Sequence, residues 1–212
     1  MKNLTTIKDN KWIWPILDEQ SWNGQNEAKD LHTVLLPYVK NKNIMIQAGG
    51  NCGYLLSNFV PHFKTVYTFE PDPINFYCLN QNVTEQHVIK IQGCLGNNTL
   101  PVNTQQLVRE GRPHDIGGVH VAGSGLTPVF RIDDLNLPDC NLIQLDVEGY
   151  EFEALSGAIE TIKKYKPVVC VETHERWLQR YDATPDKIHE LLTNLGYEFE
   201  LSHHVDKIYI SK

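Results

Sequence analysis

Several features that would assign this sequence to a particular protein class are missing. No apolar run approaches the roughly 20 residues that span a bilayer, and residues 1–8 lack the apolar core of a signal peptide. We therefore expect no membrane partner and a cytoplasmic location. The net charge is −7, which argues against a nucleic-acid partner, because the phosphates of a nucleic acid have to be met by a basic surface.

Cysteine is scarce and widely scattered. The five cysteines are an odd number and never form C-x-x-C; they are Cys52, Cys78, Cys94, Cys140 and Cys170. This pattern excludes a disulfide framework and a cysteine zinc site, and it predicts reduced thiols in or near the core. With 212 residues, 41% of them hydrophobic and 21% charged, the chain has the size and composition of one ordinary α/β domain.

What the sequence does contain is a pattern of strand, tight turn, helix, strand and acid. A run rich in β-branched apolar residues, 44–48, leads into a glycine-rich turn, and a second such run, 65–69, ends at Glu70. The glycines of the turn are Gly49, Gly50 and Gly53. Glycine lets a backbone turn sharply and a ligand approach closely, and a carboxylate after the second strand can accept hydrogen bonds from both hydroxyls of a ribose. The pattern predicts a site for an adenosine-like ligand.

The spacing of the glycines favours one ligand over another. The dinucleotide fingerprint G-x-G-x-x-G is absent, and the first cation after Gly53 is Lys64, so a pyrophosphate would find no basic partner nearby. A ligand without phosphates, such as S-adenosylmethionine, fits better. An NAD-linked oxidoreductase is the rival enzyme class, and the glycines alone are also compatible with a plain turn in an α/β sheet.

The alternation of strand-like and helix-like segments predicts a parallel sheet with helices on both faces. The predicted strands are 44–48, 65–69, 87–92, 142–146, 168–172, 197–201 and 207–211, and the predicted helices are 54–60, 74–82, 151–165 and 186–195. The last two strands are joined by a short link, so they are expected to form an antiparallel hairpin that closes the sheet.

Two segments do not fit this alternation. Residues 1–43 form a leader that holds Trp12, Trp14 and Trp22, and it either fastens the N-terminus to the domain or forms a lid over a ligand. A short helix is predicted in it at residues 27–39. Residues 97–134 are rich in scattered glycine and proline; such an insert either closes over a substrate or forms a small extra hairpin.

Four blocks in order make the chain resemble the FkbM family of S-adenosylmethionine-dependent methyltransferases. They are Gly49-Gly-Asn-Cys-Gly-Tyr54, Phe69-Glu-Pro-Asp-Pro73, Ile132-Asp-Asp-Leu135 and Leu142-Ile-Gln-Leu-Asp-Val-Glu-Gly-Tyr-Glu151, the last followed by Pro167-Val-Val-Cys-Val-Glu172. The resemblance covers about residues 44–173. It implies an α/β fold, with a single Rossmann-like class I methyltransferase domain over residues 44–212, whose mostly parallel seven-stranded sheet ends in an antiparallel hairpin.

The resemblance also implies S-adenosylmethionine as the cofactor and a set of residues that bind it. They are Gln47, Gly49, Gly50, Asn51, Gly53, Tyr54, Glu70, Pro71, Asp72, Gly93, Cys94 and Asp146. Gln47 departs from the family, which usually has an aspartate there, so it brings no charge to the ammonium or sulfonium of the ligand. For Cys94 the alternative is a plain buried thiol.

The reaction implied is transfer of a methyl group to an oxygen, on a hydroxyl of a sugar, glycan or small metabolite. In this fold the carboxyl ends of the fourth and fifth strands border the methyl group. The catalytic candidates there are Asp146, beside cofactor and acceptor, and Glu172 or His174, as the proton acceptor. Glu148 is either catalytic or a carboxylate at a helix N-terminus, and His174 is either catalytic or a surface histidine.

Some questions stay open at the level of sequence. An oxygen-rich cluster at one strand edge could hold Mg²⁺, but the spacing does not demand it and the metal ligands are unassigned. The acceptor and the oligomeric state carry no recognisable code. A catalytically idle domain that keeps the fold and binds a glycan or protein partner is the alternative from another functional class.

Overall fold

The computed structural model describes residues 4–7, 11–15, 30–109 and 112–212. Trp22 and the first part of the predicted helix 27–39 lie outside the described residues. The strands are β1 Leu4–Ile7, β2 Trp12–Pro15, β3 Ile44–Ala48, β4 Thr65–Phe69, β5 Val88–Ile91, β6 Cys94–Leu95, β7 Val102–Arg109, β8 Arg112–Ser124, β9 Val129–Phe130, β10 Leu142–Leu145, β11 Val168–Glu172, β12 Tyr197–His203 and β13 Asp206–Ser211. The α-helices are α1 Leu31–Leu35, α2 Tyr54–Ser57, α3 Pro73–Asn82, α4 Glu151–Ser156, α5 Ile159–Tyr165, α6 Glu175–Leu178 and α7 Pro185–Asn194.

Seven of these strands form one sheet in the order β12-β13-β11-β10-β3-β4-β5. The pairs from β11 to β5 are parallel, whereas β13 runs antiparallel to both β11 and β12. This arrangement confirms the predicted fold class, including the C-terminal antiparallel hairpin. Because parallel strands present their carboxyl ends at the same edge, the segments after β3, β4, β10 and β11 meet there.

Both faces of the sheet are covered, so the parallel strands are apolar on both sides. Ile46 of β3 packs on one face with α4, α5 and α7, while the adjacent Met45 packs on the other face with α1, α2 and α3. Among the described residues, no helix is both long and apolar enough to cross a membrane.

Three predicted helices are shorter than expected. The described part of the predicted helix 27–39 is helical only at α1, Leu31–Leu35, and the other two have the following local causes. The predicted helix 151–165 is broken into α4 and α5 at Gly157, where a Cβ would lie 2.0 Å from the Gly96 carbonyl oxygen. The close approach of that second chain segment interrupts the helix. The predicted helix 54–60 ends at Ser57 and continues as a 3-10 turn, Val60–His62, which contains Pro61; proline lacks the N–H that a longer α-helix would need.

The described part of the leader packs against the glycine-rich turn. β1 and β2 form an antiparallel hairpin, and Trp14 is fully buried in a cluster with Cys52, Tyr54, Cys78 and Ile116. Asn82 of α3 fixes β2 further, because its side chain accepts from Ile13 N at 2.7 Å and donates to Ile13 O at 2.9 Å.

The insert forms a second antiparallel hairpin, β7 with β8. Its strands are long and its register shifts at three places. Ile116 belongs to the cluster around Trp14, so leader, glycine-rich turn and insert share one small core.

Candidate functional site

A cavity of about 180 Å³ lies at the carboxyl ends of β3, β4, β10 and β11. We name three parts of its wall. The glycine half consists of Gly49, Gly50, Asn51, Glu70, Pro71, Gly93 and Cys94; the acidic half consists of Asp146, Val147, Glu148 and Glu172; the roof, from the hairpin β7–β8, consists of Thr104, Ile116, Gly117, Val119, His120 and Val121. Most of the predicted site residues therefore lie together, under a cover formed by part of the insert 97–134, for which the sequence left open a cover or a small hairpin.

The glycine half depends on a turn that only glycine can make. Gly49 has φ +87°, and a Cβ there would stand 1.8 Å from the Asp146 carbonyl oxygen. The N–H groups of Gly49 and Gly50 both donate to Phe69 O, at 3.1 and 2.9 Å. The chain after β3 is thus held between the ends of β4 and β10, which joins the glycine half to the acidic half.

Glu70 is the buried acid of the glycine half. One carboxylate oxygen, Oε2, accepts from Asn51 N at 2.7 Å and the other, Oε1, accepts from Asp72 N at 2.8 Å. Burial raises the pKa of Glu70 to about 8, although these backbone N–H groups act in the opposite direction. In the carboxylate form each oxygen keeps a second lone pair, so the ionised side chain can accept from two ligand hydroxyls.

Four predicted cofactor residues do not line the cavity. The Gln47 amide is engaged inside the sheet: its oxygen accepts from the Thr68 hydroxyl at 2.5 Å and its NH₂ donates to Gly49 O at 2.9 Å. The Asp72 carboxylate caps α3, where it accepts from Ile74 N at 2.9 Å. Gly53 (φ +89°) starts α2, and Tyr54 packs in the cluster around Trp14.

The acidic half contains a hydrogen-bonded carboxyl pair. Burial raises the pKa of Asp146 to about 6, and a hydrogen bond from Glu172 partly offsets that rise. Burial and the neighbouring charge of Asp146 raise the pKa of Glu172 well above its usual range. The two buried carboxyls therefore titrate as one coupled pair, in which Glu172 holds a proton more strongly than Asp146 does.

The turn between β10 and α4 presents Glu148 to the cavity. Glu148 has φ +57° and lies outside the helix, whereas Glu151 Oε1 accepts from Val147 N at 2.9 Å and Gly149 N at 3.1 Å. The carboxylate that satisfies this turn is therefore Glu151, and burial raises its pKa to about 7. Sequence reasoning missed this role; the signal was an acid at the first residue of a helix.

The structure does not bring His174 to the cavity. Its ring stacks on Trp177 with centroids 4.6 Å apart, and its Nδ1 is buried without a hydrogen-bond partner among the described residues. The ring lies beside α6, so among the predicted catalytic residues only Asp146 and Glu172 line the cavity.

Sequence reasoning missed Tyr150, and it did not identify which residues of the insert 97–134 line the cavity. Tyr150 lines the cavity and meets Tyr181 edge to face, with centroids 4.9 Å apart. Burial and the charge of Arg180 lower the pKa of His120, so this roof histidine is neutral near pH 7. The available signal was the apolar alternation of Val119 and Val121 within an otherwise irregular insert.

A metal site finds no support in the described part of the chain. No group of three or more His, Cys, Asp or Glu side chains is arranged there to hold an ion, and the five cysteines are free and buried. Nothing in this geometry supports the predicted option of Mg²⁺.

Comparisons with known proteins agree with this architecture. The model of the methyltransferase FkbM domain matches residues 47–199. A solved FkbM methyltransferase from Methylobacillus flagellatus KT is 21% identical, with a TM-score of 0.50, over 80% of this chain and 43% of that one. This chain thus spans less than half of that protein's length. No curated protein matches the sequence.

Two further solved structures share the fold at lower identity. Precorrin-6y C5,15-methyltransferase from Geobacter metallireducens GS-15 is 13% identical over 85% of this chain and 87% of that one, with a TM-score of 0.51. Magnesium protoporphyrin IX methyltransferase from Synechocystis PCC 6803, solved with S-adenosylhomocysteine, is 8% identical over 90% and 84%, with a TM-score of 0.50. The family model covers most of the chain, and the predicted resemblance is confirmed: this protein belongs to the FkbM family of S-adenosylmethionine-dependent methyltransferases.

Proposed function

We propose that this protein transfers the methyl group of S-adenosylmethionine to an oxygen, on a hydroxyl of a sugar, glycan or other small metabolite. The observation that carries the proposal is a single cavity that holds Glu70 on one side and the Asp146–Glu172 carboxyl pair on the other. Family membership supplies the reaction class, and the preference for oxygen and for sugar-like acceptors comes from the family resemblance alone.

The glycine half fits the adenosine part of the cofactor. Glu70 is fixed by two backbone N–H groups and keeps acceptor capacity for the two ribose hydroxyls. The backbone at Gly49 and Gly50 leaves no side chain in the way of a ligand. A fold neighbour solved with bound S-adenosylhomocysteine is consistent with this assignment.

The acidic half is suited to take up the proton that the acceptor hydroxyl loses. When bound, S-adenosylmethionine supplies a methyl group whose bond to sulfur breaks as the acceptor oxygen attacks, with the electron pair remaining on sulfur. The acceptor hydroxyl loses its proton to the ionised carboxylate of Asp146. The proton on Glu172 stabilises Asp146 as a carboxylate before the reaction, because it donates a hydrogen bond to it. General-base catalysis of this kind contributes about 10²–10⁴-fold.

The assay that tests the proposal is transfer of radiolabelled methyl from S-adenosylmethionine to a panel of acceptors. The panel contains sugars, nucleotide sugars, phenols, amines and thiols, each with and without Mg²⁺. We expect labelled ether products from hydroxyl acceptors. Transfer to nitrogen or sulfur alone would contradict the choice of oxygen, and S-adenosylhomocysteine binding without any transfer would favour the catalytically idle domain instead.

A further inference from the structure

The roof strand β8 is fastened to the body of the protein through two of its backbone carbonyls. On the side of the glycine half, Ile116 O accepts from Asn75 Nδ2 at 2.9 Å and from Asn51 Nδ2 at 3.2 Å. The Ile116 side chain is only 3% exposed and packs with Trp14. This end of the roof is therefore held by both hydrogen bonds and apolar packing.

The other end of the roof lies near the base of the hairpin, where Val102 and Thr127 exchange backbone hydrogen bonds, and a tyrosine hydroxyl adds a side-chain contact to it there. Tyr181 donates from its hydroxyl to Val121 O at 2.7 Å, across 60 positions of sequence. Its ring rests edge to face against Tyr150, a residue of the cavity wall. Burial raises the pKa of the Tyr181 hydroxyl, so this group remains a donor throughout the physiological range.

We propose that Tyr181 is a positioning residue: its hydroxyl keeps the roof closed over the cavity and sets how fast a ligand enters and leaves. The inference rests on the proposed function, because it takes S-adenosylmethionine to occupy this cavity. Ligand exchange requires the roof to lift, and lifting breaks the bond between Tyr181 and Val121. Asn51 belongs to the proposed cofactor site and Asn75 hydrogen-bonds Glu70, so the Tyr181 hydroxyl is the side-chain contact of the roof that can be removed without touching a cofactor-binding residue or its partner.

This arrangement has a kinetic signature that general destabilisation does not share. The proposal takes this bond, which is formed with the cavity empty, to persist when the cavity is filled, so its loss makes opening more frequent in both states. Association and dissociation then accelerate together while the affinity changes little. A single hydrogen bond of ordinary strength predicts roughly a two- to tenfold increase in both rates.

The test uses Tyr181→Phe, which keeps the ring on Tyr150 and removes only the hydroxyl. Tyr165→Phe is the matched control, because the Tyr165 hydroxyl donates to Leu137 O at 2.5 Å, near the amino ends of β10 and β11 and away from the cavity. Association and dissociation rates of S-adenosylhomocysteine are measured by stopped-flow fluorescence. Hydrogen exchange of the β8 amides is measured on the ligand-free proteins.

We expect Tyr181→Phe to accelerate both rates and the exchange of β8 amides, and Tyr165→Phe to leave all three unchanged. Equal behaviour of the two variants would overturn the inference. If the wild-type protein bound no S-adenosylhomocysteine, the proposed function would fail, whereas the exchange measurement would still decide whether Tyr181 holds the roof.

Discussion

The two halves of the cavity each contain a buried acid, but the partners of these acids differ. Glu70 accepts from backbone N–H groups, which cannot change protonation, and burial raises its pKa to about 8. Asp146 accepts from Glu172, a side chain that titrates itself, and its pKa is raised to about 6. Backbone N–H donors hold the Glu70 carboxyl in a fixed position, which suits a residue that binds a ligand. Glu172 can share its proton with Asp146, which suits a residue that accepts a proton during a reaction. The comparison therefore supports the proposal that the glycine half binds the cofactor and the acidic half accepts the proton.

Gly49→Ala removes the connection between the halves and has the largest expected effect. A Cβ at 1.8 Å from Asp146 O, at φ +87°, forces β3 and β10 apart, so we expect a loss of about 3 kcal/mol or more in the free energy of unfolding and no detectable ligand binding. Gly123→Ala is the control, because Gly123 has φ +75° and its Cβ would meet nothing described within 4 Å. It should cost only about 1 kcal/mol. Urea unfolding of both variants checks this; equal losses would contradict it.

The substitution Asp146→Asn tests whether the acidic half serves proton transfer more than cofactor binding. Asparagine keeps the shape but cannot take the acceptor proton, so turnover should fall about 10²–10⁴-fold, while affinity for S-adenosylhomocysteine falls much less. Asp139→Asn, at the amino end of β10, is the control and should retain turnover. Methyl-transfer kinetics on any acceptor found in the screen provide the measurement. An active Asp146→Asn enzyme would place the proton acceptor elsewhere.

The pH dependence of turnover sharpens the same assignment. The base form of Asp146 is lost as pH falls through its pKa of about 6, so kcat/KM should drop about tenfold per pH unit below that value and level off above it. The residual kcat/KM of Asp146→Asn should not show this fall at low pH. A wild-type profile that is flat between pH 5 and 7 would exclude Asp146 as the base.

The stability of the fold should depend on pH through the buried acids. Burial raises the pKa of Glu70 to about 8 and those of Glu151 and Asp206 to about 7, above their unfolded values. The folded state then binds more protons than the unfolded state, so the free energy of unfolding should fall as pH rises from about 5 to about 7.5. Each group contributes at most about 1.4 kcal/mol per pH unit. Urea unfolding at both pH values tests this, and a stability that rises with pH would refute it.

The sheet could be predicted closely because its strands are apolar runs bounded by turn residues. The bounds of β3, β4 and β11 match the prediction and β10 ends one residue early, so in a parallel sheet Glu70, Asp146 and Glu172 fall near one edge. The sequence could not predict that the Gln47 amide forms its hydrogen bonds inside the sheet and does not line the cavity. Side chains alternate between the faces of a strand, and sequence does not say whether a polar group at the end of a buried strand meets a ligand or a neighbouring strand.

The sequence allowed the insert 97–134 to close over a substrate, but it could not predict which residues form the roof or what holds it, and the reason is different. Its position depends on contacts between distant residues, such as Asn51 and Asn75 with Ile116 O, which lie 65 and 41 positions apart in sequence. The irregular register of β7 with β8 also blurs the alternation that would mark a strand. The break of the predicted helix at Gly157 could not be predicted for the same reason, because it depends on the close approach of Gly96, which is distant in sequence.

The most direct test of the division between the two halves is calorimetric titration with S-adenosylhomocysteine. It compares the wild-type protein, Glu70→Gln and Asp146→Asn, with NAD as a second ligand. We expect micromolar binding to the wild-type protein, at least roughly tenfold weaker binding to Glu70→Gln because a buried acceptor is lost, a much smaller loss for Asp146→Asn, and no binding of NAD. Equal loss in both variants, or binding of NAD instead, would contradict the account.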